Sequence, residues 1–67
     1  MKRTDLLRHL RTYGCELYRE GAKHSLMRNA TNNHVAAVPR HIEIKEPTAR
    51  RICDDLGIPR PNEMGGR

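Results

Sequence analysis

The chain has no tryptophan and no phenylalanine, and Tyr13 and Tyr18 are its only two tyrosines. Proteins that read single-stranded nucleic acid by stacking bases need several aromatic faces. Their scarcity argues against such a platform. Cysteine is also sparse, with Cys15 and Cys53 alone. No C-x-x-C, H-x-x-x-H or H-E-x-x-H spacing occurs, and zinc sites are usually built from such close ligand pairs. No metal and no cofactor is therefore expected. No run approaches the ~20 apolar residues of a membrane span. The opening "MKRTDLL" leads into a charged helical pattern rather than an apolar signal core. These absences give a cytoplasmic expectation. In that compartment the two cysteines are expected as free thiols, buried as small hydrophobes. There is no internal repeat and no low-complexity segment.

The most prominent feature present is charge. Thirteen Lys and Arg face eight Asp and Glu, a net charge of +5. Such a surface attracts phosphate polymers through a long-range force that does not depend on sequence. The chain is 67 residues long, enough for one domain. A chain of this size buries only about 60% of the surface exposed when unfolded. That leaves a small core and no deep pocket, so function is expected on an exposed face.

Residues 4–13, "TDLLRHLRTY", set Leu6, Leu7, Leu10 and Tyr13 at helical spacing. Thr4 is the expected N-cap and Gly14 the stop. In "CELYREG", Cys15, Leu17 and Arg19 alternate with Glu16, Tyr18 and Glu20, which predicts a half-buried strand. Gly21, Ala22 and Lys23 form a turn. "HSLMRN" is a second strand, "TNN" a polar turn, and "HVAAVP" a third strand that Pro39 ends. Over 46–57, Pro47 suits a first helical turn, and Ala49, Ile52, Cys53 and Leu56 make one apolar stripe. Gly57 and Pro59 end it. The order helix, three strands, helix predicts an α+β two-layer domain over 1–58. Its antiparallel sheet is covered on one face by two helices, and 59–67 forms a loose tail. Within the last helix, Arg50 and Arg51 are secondary candidates for phosphate contact; the alternative is that they pair at i,i+4 with Asp54 and Asp55 on the helix surface.

Two stretches carry more than structure: "REGAKHS" at 19–25 and "AVPRHIEIK" at 37–45. Their order, the first helix ending in Gly14, the Gly-x-x-His of Gly21 to His24, and the last helix before Leu56-Gly57 together resemble the HicA family of bacterial toxins. These are small mRNA interferases with a fold like the double-stranded-RNA-binding domain. The resemblance covers residues 1 to about 58. It implies cleavage of mRNA, His24 as the catalytic residue, and silencing by a HicB-type antitoxin. Lys23 departs from the Gly or Ser that many members carry before the histidine. Leu26 and Met27 stand where some have aromatics, and are expected as core beneath the site.

The chemistry suits so small a chain. Every RNA phosphate has a 2′-OH beside it as a built-in nucleophile. The protein must help remove that proton, stabilise charge on the phosphate and protonate the leaving 5′-oxygen. An imidazole with a pKa of ~6.5 populates both of its forms near neutral pH, and nearby cations supply the charge stabilisation. No metal is required. His24 is the candidate for the proton work, with Lys23, Ser25, Arg28, Arg40 and His41 as candidate RNA contacts. His9 and His34 are expected to be surface residues. Two alternatives remain: a non-catalytic basic RNA-binding module of the double-stranded-RNA-binding type, and a protein-interaction domain whose basic face meets an acidic partner.

Overall fold

The computed structural model describes residues 1–61. Helix α1 spans Arg3–Thr12, followed by strands β1 (Cys15–Glu20), β2 (His24–Asn29) and β3 (Val35–Pro39), and then helix α2 (Glu46–Leu56). The strands form one antiparallel sheet in the order β1-β2-β3. The expected α+β architecture with an α-β-β-β-α order is what the chain adopts.

The core lies between the helices and one sheet face. Leu6 and Leu10 of α1, Cys15 of β1, Met27 of β2, Ala36 and Val38 of β3, and Ala49, Ile52, Cys53 and Leu56 of α2 are all buried, with Ile44 and Ile58 beside them. Both cysteines are free and buried, as their use as small hydrophobes predicts. The apolar stripe of α2 buries as its spacing requires. Gly57 then closes the helix at φ +72°, and its N–H donates to the Asp54 carbonyl. A residue with a Cβ is strained there.

Three local expectations are corrected. The first concerns the start of α1. The helix begins at Arg3 with Lys2 as N-cap, and no side chain caps it. The chain entering α1 instead bridges the segment after β3, where the Arg3 N–H donates to the Ile42 carbonyl at 2.8 Å. Backbone pairing fills part of the role expected of Thr4. The second concerns β1. Leu17 pairs with Met27, but Arg19 pairs with Leu26, so one extra residue sits in the strand. This bulge resets the alternation. Directly opposed residues share a sheet face, so Arg19 crosses to the open face while Glu20, opposite Ser25, joins the helix-covered one. The third concerns Leu26. Met27 is core, but Leu26 alternates with it and lies half-buried on the open face opposite Ala37.

His9 is buried rather than on the surface. Its ring lies 5.1 Å from that of Tyr13, and its Nε2 is 2.7 Å from the Pro59 carbonyl oxygen. Part of the segment expected as a loose tail is thus held. Arg60 also grips Asp54 through two hydrogen bonds of 3.0 and 2.8 Å. Asp54 therefore pairs with Arg60 rather than Arg50, while Arg51 reaches Asp55 at 3.9 Å. Residues 62–67 of that expected tail lie outside the described residues.

Candidate functional site

β1 and β2 are joined by Gly21, Ala22 and Lys23, and the turn is tight. The Gly21 N–H donates to the His24 carbonyl at 2.8 Å. A Cβ added at Gly21 would come within 3.2 Å of the same oxygen, so glycine gives the turn room to close. His24 is the first residue of β2 and is exposed. It opposes Pro39, the last residue of β3. That pairing brings the turn beside the segment that leaves β3, which carries Arg40 and His41. A shallow cleft of about 350 Å³ opens on this segment, lined by Pro39, His41, Glu43, Ile44, Lys45 and Thr48.

Beneath the turn runs a chain of polar contacts linking four elements. Arg3, at the start of α1, donates from Nε to the Pro39 carbonyl and from Nη2 to Ser25 Oγ, both at 2.9 Å. Ser25 Oγ–H donates in turn to Glu20 Oε1 at 2.9 Å. Arg40 Nη2 donates to the same carboxylate oxygen, and to the Gly21 carbonyl at 2.6 Å. The Ser25 hydroxyl, followed by Arg40 and the charge of Arg3, holds the Glu20 carboxyl below the usual carboxylate range. Glu20 is therefore an anion at neutral pH and has no proton to give.

The six candidate residues separate into distinct settings. His24, Lys23 and His41 are exposed. Ser25 is 2% exposed on the helix-covered face, with its hydroxyl engaged between Arg3 and Glu20. The expectation of an RNA contact there gives way to an internal role, because successive residues of a strand point to opposite faces. Arg40 stays at the surface, but its guanidinium is clasped to Glu20 and Gly21. Arg28 shares the open face with His24 four residues along β2, about 13 Å away at strand spacing. Its guanidinium carbon lies 5.2 Å from the Tyr18 ring centre and its Nη2 is 3.3 Å from Glu16. Its Nε is buried without a hydrogen-bond partner.

Arg3 and Glu20 were not expected at the site. Arg3 reads as a basic residue near the chain start, and its partners are 22 and 36 positions away. Strict alternation along β1 would set Glu20 on the face opposite Cys15 and Leu17; the bulge turns it to theirs. The one usable signal was the i,i+5 proximity of Glu20 and Ser25 across a three-residue turn.

Among the described residues, no group of three His, Cys, Asp or Glu side chains is arranged to hold a metal ion. No described helix is long and apolar enough to cross a membrane.

The family model described as HicA toxin of bacterial toxin-antitoxin systems matches residues 3–58. The match spans all five elements and every candidate residue above. No curated protein and no solved structure gave a match.

Proposed function

The chain belongs to the HicA family of toxins of bacterial toxin–antitoxin systems, and on that premise we propose that it is a metal-independent endoribonuclease that cleaves mRNA through His24. The observation that carries this reading is the setting of His24. Its ring is exposed at the head of β2, on a turn tied to the rest of the domain by hydrogen bonds, in a chain of net charge +5. An open corner suits a polymer substrate, which needs a surface to cross rather than a pocket to enter.

His24 in its neutral form accepts the proton of a 2′-OH as that oxygen attacks the adjacent phosphorus. In its protonated form it supplies a proton to the departing 5′-oxygen. Lys23 and His41 flank the reacting phosphate, and Arg28 holds the backbone further along the open face. Their contacts go to phosphates, which position a strand without reading its sequence. Silencing follows from the same exposure. A HicB-type antitoxin covers the His24 corner and sets acidic groups against Lys23 and Arg40, excluding RNA.

Cleavage of an RNA reporter by the parent and by His24→Ala tests this assignment. The variant is expected to lose ~10²–10⁴-fold in rate, the usual contribution of a positioned acid–base group, with unchanged RNA binding. EDTA is expected to leave the parent rate unaltered. Equal cleavage by the two proteins removes His24 from the mechanism.

A second reading is a non-catalytic RNA-binding module. Its support is that the polar atoms of Ser25 and Arg40 are engaged by other groups of the protein rather than free around the ring. It predicts RNA retention that weakens steeply with salt and no cleavage by either protein.

A further inference from the structure

The contacts beneath the turn are more elaborate than a surface hairpin needs. Two-residue surface ion pairs are common and contribute little. Here one carboxylate oxygen accepts from both Ser25 and Arg40, Arg40 also holds the Gly21 carbonyl, and Arg3 ties Ser25 to the end of β3. The chain of contacts therefore starts on α1 and ends on the residue that opens the His24 turn. Remove its centre and the Gly21 carbonyl loses the cation that fixes it. Gly21 is also bonded to His24 through its N–H, so the slack passes to the backbone of His24 itself. The bulge in β1 is what makes this possible. Without it Glu20 would lie on the open face and miss Ser25.

Resting on the reading that His24 acts on RNA, we propose that Glu20 is the positioning residue of the site: its carboxylate, gripped by Ser25 and Arg40, fixes the Gly21–Lys23 turn and so sets where the His24 ring stands. Glu20 touches no reacting atom. Its effect is on how often the ring occupies the geometry that proton transfer needs. Misplacement on the scale of 1 Å costs ~10²-fold in rate.

The test compares Glu20→Gln and Glu20→Ala with the parent and with His24→Ala, reading kcat and KM separately. It also follows hydrogen exchange at the Gly21 amide. Glutamine is close to isosteric and keeps a hydrogen bond to Ser25, but it loses the charge that holds Arg40. Glu20→Gln is expected to lower kcat ~10-fold and Glu20→Ala up to ~10²-fold, with KM changed less than ~3-fold and exchange at Gly21 accelerated in both. A fall in kcat that only tracks the folded fraction overturns the positioning role. So does a kcat within ~2-fold of the parent in a background where His24→Ala abolishes cleavage. If Glu20→Ala does not fold, Glu20→Gln decides. If His24→Ala cleaves as well as the parent, the reading of His24 fails instead. Gly21 exchange then judges the brace alone: faster exchange in Glu20→Gln upholds it, and unchanged exchange overturns it.

Discussion

At one end of β2, His24 stands exposed on a three-residue turn, with charged side chains gathered under it. At the other end, Asn29 is buried and every partner is neutral. Asn29 Nδ2 donates to the Leu56 carbonyl at 2.8 Å, and its Oδ1 accepts from the Thr31 N–H at 2.9 Å. Asn32 Nδ2 adds a second bond to Leu56 at 3.0 Å, and Asn32 Oδ1 accepts from the His34 N–H. Asn33 takes a left-handed conformation at φ 65°, which asparagine tolerates better than most residues. These amides satisfy the carbonyl at the C-terminus of α2 and lock the β2–β3 turn to that helix. The two ends of one strand thus divide the tasks. The neutral end is closed and fastens helix to sheet. The charged end stays open to solvent, where ion pairs are screened and hold geometry more than they add stability.

That contrast can be broken at either end. The largest effect belongs to His24→Ala, which is expected to abolish most cleavage while leaving the urea midpoint in place. A fall in stability would mean that the open end also supports the fold. Next is Asn29→Ala, which takes the acceptor from the Thr31 N–H and leaves the Leu56 carbonyl with Asn32 as its side-chain donor. It is expected to cost ~1–3 kcal/mol by urea denaturation, with the specific cleavage rate of the folded fraction unchanged. Gly57→Ala follows at ~1–2 kcal/mol, since a left-handed backbone disfavours a side chain. The added Cβ would also sit 2.8 Å from Asn32 Nδ2, loosening the second bond to Leu56.

The smallest effect sharpens the contrast instead. Glu20 is held low by Ser25 first and then Arg40, and Asp54 by Arg60. A carboxyl whose folded pKa lies below its unfolded value of about 4 adds stability above that value. The contribution disappears as pH falls through the lowered one. Both groups are at the surface, so the effect is small. Thermal unfolding from pH 6 to pH 2 should show a shallower acid limb in Glu20→Gln and Asp54→Asn than in the parent. Raised salt should bring the three curves together.

Much of this arrangement was legible in the sequence because it follows from local spacing. The stripe Ala49, Ile52, Cys53 and Leu56 can bury only as one helix face. "HSLMRN" sits between turn residues and forms a strand over the same six positions. The Gly-x-x-His turn, and with it the exposure of His24, follows from chain direction and glycine. What stayed hidden depends on contacts between distant residues. The bulge at Tyr18 leaves no mark in the residue pattern of β1, yet it decides the face of Glu20. His9 falls beside the predicted stripe of α1 and is buried with its Nε2 against the Pro59 carbonyl oxygen, fifty positions later. Arg3 finds its role only after β2 and β3 have paired. Local spacing gave the elements, and the resemblance to the HicA family singled out the imidazole. The brace beneath that imidazole required the assembled sheet.

The two buried thiols provide an internal clock. Burial raises Cys15, and burial together with the neighbouring Asp54 carboxylate pushes Cys53 up to about 11. At neutral pH both remain almost wholly protonated, and only the thiolate attacks an electrophile. A maleimide or disulfide reagent must therefore wait for the protein to open. Cys15 sits on β1 and Cys53 on α2, so their labelling rates time the two layers separately. Equal rates mean that sheet and helix come apart in one event. Faster labelling at one cysteine identifies the layer that loosens first.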